Sequence, residues 1–459
     1  MSDTIAAIST GMSDAGIGVI RISGDQALSI ADSVFDGADL TKCKPNTVHY
    51  GHLVDVDHGE IVDEVYALVF HGPKSYTRED IVEFDCHGGM RVLRDALSLI
   101  YRAGARPAEA GEFTKRAFLN GRIDLSQSES VMDLIHSRTS FERKVSLSHL
   151  NGNLSKRIHD LRDRILHEAA FLEAALDDPE HYSLEGYPKE LDQKVKNCMD
   201  EIHAMLSSYQ QGSLLKNGIR TAIVGRPNVG KSSLLNLLSG KDRAIVTDIP
   251  GTTRDVLEEE ILLNDIPLLM MDTAGIHETD DLVEKIGVKR SLEALKNADL
   301  VLFLIDGSRP LSEEDLSILS EIPSVPTLIL FTKSDLKTCV DREQLKDALA
   351  NRQNYRILEV NCHDEETVSI LSKEIQDLFL LGNLQNPDQY LISNDRQKYD
   401  MEEAEKSLGL VRKSIEDQMS EDFYTSDLMD AYRYLGYVIG EEVEDDLVDK
   451  VFSDFCMGK

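Results

Sequence analysis

The chain has 459 residues, which at roughly 100–200 residues per domain means two to four domains and excludes a peptide or mini-scaffold. Lys and Arg number 49 against 82 Asp and Glu, a net charge of −33, so the overall field repels phosphate and nonspecific coating of DNA is excluded. With 41% hydrophobic and 29% charged residues, the composition is that of a folded protein rather than a disordered one.

The N-terminal stretch from Met1 to Thr10 lacks a basic region followed by an apolar core, and nowhere is there an apolar run of about 18 residues, so a cytoplasmic protein without membrane contact is expected. Short apolar runs follow to about Leu119 (Ile17–Ile20, Val65–Phe70, Ile81–Phe84), separated by Gly, Asp and Pro; they predict strands, with a helix over Val92–Ala103. From about Leu125 the period changes. Leu147, Leu150, Leu154, Ile158, Leu161, Ile165, Ala169, Leu172 and Leu176 follow at steps of three and four, which predicts one long amphipathic helix. Its seam is broken within one helix, so a helix-bundle core is expected rather than a coiled-coil rod. A second helix is predicted over about Pro188–Gln211, before Gly218.

Residues 219–379 alternate β runs (Arg220–Val224, Pro267–Met271, Leu300–Ile305, Thr327–Phe331, Tyr355–Val360) with helical segments, the rhythm of a parallel sheet covered on both faces. Beyond about Leu380 the pattern is helical again, and residues 380–459 carry −11 of the charge. The fold expected is multidomain α/β and α: an α+β domain over 1–118, a helical domain in two halves, 119–216 and 380–459, and an α/β domain over 217–379 inserted between them. The six cysteines, at 43, 86, 198, 339, 362 and 456, form no CxxC pair and no Cys/His cluster at metal-ligand spacing, so reduced thiols are expected.

Gly225-Arg226-Pro227-Asn228-Val229-Gly230-Lys231-Ser232 fits GxxxxGK[ST], with a β run before it and the apolar helix Leu234–Leu238 after it. Its glycines let backbone N–H groups wrap phosphates, Lys231 neutralises β/γ oxygens, and the Ser232 hydroxyl suits Mg²⁺. Asp272-Thr273-Ala274-Gly275 supplies an acid behind the metal and a glycine amide for the γ-phosphate. Between them lies Gly251-Thr252-Thr253-Arg254-Asp255, where Thr253 completes the Mg²⁺ shell only when the loop is ordered. Thr332-Lys333-Ser334-Asp335 places a carboxylate for guanine's ring N–H and amino group. Four such elements in this order predict a GTPase of the Ras-like P-loop class. Two departures stand out: Thr332 occupies a position usually held by Asn, and Asn361-Cys362-His363 replaces the usual Ser-Ala-Lys/Arg. Ile276 stands where many GTPases place a water-positioning Gln, so catalysis must draw on another polar group and another positive charge.

Outside these motifs stand Asp3-Thr4-Ile5, Val19–Gly24, His87-Gly88-Gly89, the run Gly111–Gly121 (GEFTKRAFLNG), and the terminal Cys456-Met457-Gly458-Lys459. With them the chain resembles, end to end, the MnmE (TrmE) family of tRNA-modifying GTPases. The resemblance implies a folate-binding, dimerising N-terminal domain that takes a one-carbon carrier, 5,10-methylenetetrahydrofolate or 5-formyltetrahydrofolate. It also implies a homodimer and a flavoprotein partner, MnmG, which carries the FAD and uses NADH. Together they would add an aminomethyl or carboxymethylaminomethyl group to C5 of the wobble uridine of tRNA.

Matched motif to motif, Arg21, Glu83, Arg122 and terminal Lys459 look like folate contacts, the cations suited to folate carboxylates and the Glu to the pterin's donors. Arg122 stands where the family commonly has Lys. The family uses K⁺ in place of an arginine finger, matching Asn228, Thr247, Ile249 and Thr252. Its water-orienting glutamate matches Glu284, which joins Lys231 and Thr253 as the catalytic set. The GTP-contacting positions expected are Asn228, Val229, Gly230, Lys231, Ser232 and Ser233 in the phosphate loop; Thr247, Asp248, Ile249, Pro250, Gly251, Thr252 and Thr253 in the switch loop; Asp272, Thr273, Ala274 and Gly275 after it; and Thr332, Lys333, Ser334 and Asp335 at the base, with Mg²⁺ on Ser232 and Thr253.

Plainer readings stand beside these. Arg21 and Glu83 also fit as surface strand residues, and Glu284 as a solvated helix residue. His87, before Gly88-Gly89, reads as part of a tight turn near the domain core rather than as a general base. Cys456, after Phe452 and Phe455, reads as a small packed hydrophobe, with a nucleophile as the alternative. Two further functional readings remain: a ribosome-assembly GTPase switch of the Era/Der kind, whose basic or aromatic RNA-binding domain the acidic helices do not supply, and a folate-binding scaffold with a degenerate nucleotide site.

Overall fold

The computed structural model describes residues 3–55, 57–240, 259–271, 295–337, 339–340, 342–350, 352, 354–379, 392–441, 445–453, 455 and 458. They form two compact units, one of residues 1–135, 149–199 and 399–459, the other of residues 136–148 and 200–398.

In the first unit, strands β1 (Ile5–Ile8), β2 (Ala15–Ser23), β3 (Phe35–Asp36), β4 (Thr47–Asp55), β5 (Glu60–Phe70), β6 (Ile81–Gly88) and β7 (Arg106–Pro107) form a sheet in the order β3-β4-β5-β6-β2-β1-β7. All neighbours are antiparallel except β1 and β7. Strand alternation sends Ile20, Ile22, Val65, Ala67, Val82 and Phe84 to one face, where helices α1 (Ala27–Ser33) and α2 (Met90–Arg102) cover them through Ile30, Ala31, Leu93 and Ala96. His87 lies in β6, with an exposed side chain paired to Asp63 at 2.6 Å, so the expected turn near the core is replaced by a solvent-facing strand position. Residues 87 and 83 share strand parity, while Phe84 and Cys86 take the core.

Helix α3 (Glu112–Leu119) follows Gly111, whose φ of +66° and approach to Phe452 leave no room for a side chain: a Cβ would lie 2.7 Å from the Phe452 carbonyl oxygen. The α3 motif is chiefly structural. The Arg116 guanidinium donates to the Asp3 carboxylate at 2.8 Å, to Glu79 at 3.1 Å and to Glu112 at 2.9 Å. Asn120 Nδ2 donates to the Thr77 carbonyl at 2.7 Å, and the Tyr76 hydroxyl shares a hydrogen bond with Thr114 at 3.0 Å. The run from Gly111 to Gly121 thus fastens the chain's beginning and the 75–80 loop to the sheet.

After α4 (Leu125–His136), the expected single long helix is two, α5 (Ser140–Leu150) and α6 (Asn153–Asp177). Gly152 at φ +80° turns the chain between them, and Gln127 Nε2 donates to the Leu150 carbonyl at 2.9 Å, satisfying an acceptor at the end of α5. Leu154, Ile158, Leu161, Ile165, Ala169 and Leu172 are buried as the seam requires, whereas Leu147 and Leu176 are exposed. Helix α7 (Tyr187–Asn217) runs longer at both ends than predicted.

In the second unit, β8 (Ile219–Val224), β9 (Glu259–Leu263), β10 (Ile266–Met271), β11 (Leu300–Asp306), β12 (Thr327–Thr332) and β13 (Tyr355–Glu359) form a sheet in the order β13-β12-β11-β8-β10-β9. It is parallel except for β9, which pairs with β10 through the turn Asn264-Asp265. Strands β11 and β12 are buried along their whole length, as their unbroken apolar runs predict. Leu300, Leu302 and Leu304 pack on one face with α8 (Lys231–Leu238) and, later in the chain, the helix Glu366–Leu378. Val301, Phe303 and Ile305 pack on the other, with α9 (Glu313–Glu321) and α10 (Arg342–Ala348). Numbering that later helix α11, the chain continues through α12 (Asp395–Glu416), α13 (Glu421–Ile439) and α14 (Asp445–Ser453). Where it enters this unit and where it leaves lie side by side: the Tyr209 hydroxyl donates to Asp395 at 2.7 Å and Lys216 to the Ser393 carbonyl at 3.1 Å. Back in the first unit, α13 packs along α6, where the buried Arg162 pairs with Glu441 and lies 4.0 Å from the Tyr432 ring centroid.

Two predictions follow from these ion pairs. Arg116→Met leaves the largely buried Glu79 without its cationic partner, while Asp3 and Glu112 keep Arg106, and lowers stability in urea unfolding by about 3 kcal/mol; a loss below about 1 kcal/mol would show the network to be dispensable. The Asp63 hydrogen bond and charge raise the His87 pKa above its ordinary 6.5. The stabilisation this gives is fully present below the unfolded-state pKa and is lost as pH rises through the folded one. NMR titration is expected to show His87 titrating above 6.5 in the intact protein and lower in Asp63→Asn.

Candidate functional site

The phosphate loop runs from the end of β8 to α8. At its start Gly225 has φ +150°, and a Cβ there would lie 2.5 Å from the Leu304 carbonyl oxygen, so the loop presses directly on β11 and only glycine fits. Asn228 at φ +62° and Gly230 at φ +106° complete the turn, and the Leu234 N–H donates to the Gly230 carbonyl at 2.8 Å to open the helix. Lys231 folds back over the loop, donating to the carbonyls of Gly225 at 2.6 Å and Arg226 at 3.0 Å, and burial pushes its ammonium pKa down. Such a loop presents backbone donors, a helix N-terminus and one ammonium to an anion. Ser232 is exposed at the first turn of α8, Ser233 is half-buried beside it, and the Asn228 side chain is exposed on the loop.

Two side chains brace the loop: Arg226, to which the sequence assigns no role of its own, and Thr332, expected from the sequence at the base. Arg226 donates to Asp315 at 2.8 Å, and Asp315, fully buried, also accepts from Ser312 in the capping box of α9. Thr332, at the end of β12 and 1% exposed, donates its hydroxyl toward the Val229 carbonyl at 2.7 Å. Next to it Lys333, at φ +59°, reaches Asp306 at 2.6 Å; against the cost of its own burial, Lys333 and Ser308 hold the Asp306 carboxyl below the usual range. Ser334 and Asp335 follow, exposed at the strand's C-terminal end. The buried Cys362 thiol, its pKa raised by burial, lies 3.5 Å from where a Gly230 Cβ would stand. The loop and the segment Thr332-Lys333-Ser334-Asp335 therefore share one edge of the sheet, at the carboxyl ends of β8 and β12, where open α/β sheets bind ligands.

A second constellation lies on the first unit. Arg21 and Glu83 face each other across β2 and β6 and pair at 2.6 Å, with side chains 15% and 19% exposed. The Arg21 guanidinium carbon sits 5.1 Å from the Tyr76 ring centroid and that of Arg122 4.6 Å from the same ring. Arg122 also donates to the Tyr76 carbonyl at 3.2 Å. Two arginines widely spaced in sequence are thus gathered around one tyrosine, which no motif marks, and Glu83 joins them through Arg21. Gly458, at φ +88°, packs so closely on β1 that a Cβ would lie 2.2 Å from the Ile8 carbonyl oxygen. Ala7, next to Ile8 in β1, pairs with Arg21 in β2. Thr247, Asp248, Ile249, Pro250, Gly251, Thr252, Thr253, Asp272, Thr273, Ala274, Gly275, Glu284, Cys456 and Lys459 lie outside the described residues.

Comparison with known proteins places this geometry in a family. Residues 4–122 match the family model "GTP-binding protein TrmE N-terminus" and residues 125–456 match "MnmE helical domain". A relative from Lachnoclostridium phytofermentans is 47% identical, with 100% of both chains covered. One from Lactobacillus gasseri is 45% identical, covering 100% of this chain and 98% of its own. One from Geobacillus kaustophilus is 44% identical, covering 100% and 99%. Each is named tRNA modification GTPase MnmE. Among solved structures, the G domain of the T. maritima FeoB iron transporter covers 34% of this chain and 96% of its own at 25% identity, with a TM-score of 0.25. Family models matching residues 4–122 and 125–456, with relatives 44–47% identical over the whole length, identify the chain as a member of the MnmE (TrmE) family of tRNA modification GTPases.

Proposed function

We propose that the protein is a K⁺-dependent, cytoplasmic GTPase that works as a homodimer with the FAD- and NADH-dependent MnmG. Together they add a carboxymethylaminomethyl or aminomethyl group to C5 of the wobble uridine of tRNA, with a folate one-carbon unit as the methylene source. The observation that carries this reading is the phosphate loop, with Lys231 held over its own carbonyls, in a chain similar from end to end to tRNA modification GTPases. The proposed domains are 1–118, 119–216 with 380–459, and 217–379.

Lys231 and the loop amides hold the β/γ-phosphates, Ser232 and Thr253 are the protein ligands proposed for Mg²⁺, and Glu284 orients the attacking water. Asp335 reads guanine. The exposed Asn228 side chain on a left-handed loop residue suits a hard monovalent cation with its amide oxygen; Thr247, Ile249 and Thr252 are its proposed companions. Such a cation, when bound, supplies positive charge beside the transferring phosphoryl group, which apolar Ile276 and the acidic surroundings cannot.

In the first unit the direct Arg21–Glu83 contact makes a joined donor and acceptor edge, so both belong at one end of a folate. We assign that end to the pterin, whose amino and ring N–H groups suit Glu83. The carboxylates fall to Arg122 and Lys459, a change from the sequence-based expectation that Arg21 meets them. The aromatic face of Tyr76, flanked by two guanidiniums, suits a planar ring system. The folate supplies a one-carbon unit there.

GTP turnover by the purified protein is expected to be several-fold or more faster in K⁺ than in Na⁺ at equal ionic strength; equal rates would remove the cation from the account. Glu284→Ala is expected to keep GTP binding and lose most turnover, a loss confined to the transition state, whereas Lys231→Ala loses binding itself. Normal hydrolysis by Glu284→Ala would show the assigned water-orienting group to be wrong.

A further inference from the structure

Thr332 departs from the residue usual at its position, and the structure gives that departure a consequence. A threonine hydroxyl carries one proton. Here both acceptors near it are main-chain carbonyls, Val229 at 2.7 Å and Ile305 at 3.2 Å, and the side chain is 1% exposed. Its Cβ and methyl carbon stand 3.9 Å from the place of a Gly230 Cβ, so the apolar side of the threonine packs under the phosphate loop. The adjacent Lys333 ammonium is engaged by Asp306 at 2.6 Å. An asparagine amide carries two N–H donors and could serve the loop carbonyl with one and a base with the other. Threonine cannot do both.

We infer that Thr332 is a positioning residue that ties the phosphate loop to β12 and gives no donor to the base, so that this chain binds guanine without a protein contact from position 332 to the purine N7. Selection then rests on the Asp335 carboxylate at the opposite edge of the ring. The inference rests on the proposed GTPase reading and adds to it how this chain's own base site works. Loss of the Thr332 hydroxyl leaves the Val229 carbonyl without its partner and loosens the loop for every nucleotide alike, whatever its base.

The test is equilibrium competition against a fluorescent GDP on the full-length protein, with GTP and 7-deaza-GTP, which replaces the N7 acceptor by C–H. Wild-type protein is expected to bind the two within about twofold, since no hydrogen bond is lost. Thr332→Asn is expected to create a preference for GTP over 7-deaza-GTP of about fivefold, the worth of one added hydrogen bond. Thr332→Val should weaken both ligands equally by about fivefold to tenfold, with Thr332→Ser restoring them. Binding of 7-deaza-GTP about tenfold or more weaker than GTP by the wild type overturns the inference, and that comparison needs no variant to fold. A Thr332→Val protein that loses GTP but keeps 7-deaza-GTP overturns it equally. Failure of the wild type to bind GTP at all would instead overturn the GTPase reading on which it rests.

Discussion

A chain with a net charge of −33 can hold a triphosphate or a polycarboxylate only where single cations are locked in place by neighbouring atoms, because its long-range field works against both. The structure meets that constraint twice. Lys231 is fixed by two carbonyls of its own loop, and the loop by Arg226–Asp315 on one side and Thr332 on the other. Arg21 and Arg122 are fixed around Tyr76, one by Glu83 and the other by the Tyr76 carbonyl. In each case the cation's geometry is set by neighbouring protein atoms, and preorganisation of that kind lowers the ordering cost of holding an anion.

Close backbone approach makes these arrangements possible. Gly225 lets the phosphate loop lie on β11; Gly111 lets α3 meet Phe452; Gly458 lets the chain's end rest on β1. The last two draw the C-terminal residues onto the sheet that carries Arg21 and Glu83, so the first and last segments of the sequence build one region. Net acidity is spread over every segment of the chain and is densest in residues 380–459.

The parallel strands and the phosphate loop were legible in the sequence because their signals are local: Leu300–Asp306 is an unbroken apolar run, and GxxxxGK[ST] carries its own backbone demands. The break between α5 and α6 was not read, because Leu147, Leu150 and Leu154 keep helical spacing straight across Asn151-Gly152; the glycine was the available signal. His87 was misplaced because the paired glycines after it suggested a turn, whereas strand β6 continues through Gly88. Nothing local announces the Arg21–Glu83 pair, since a register joining residues 62 positions apart is a tertiary fact. The same holds for the place of Tyr76 between two guanidiniums and for the Thr332–Val229 bond: the sequence marks Thr332 as a departure, but not the carbonyl it reaches.

The central claim, that nucleotide handling at this phosphate loop serves wobble-uridine modification, is tested most directly by mass spectrometry of tRNA nucleosides from a bacterial strain deleted for its own relative and supplied with this chain. The account predicts that the wild-type chain restores the C5-substituted uridines and that an equally abundant Lys231→Ala protein does not. Full restoration by Lys231→Ala would contradict it.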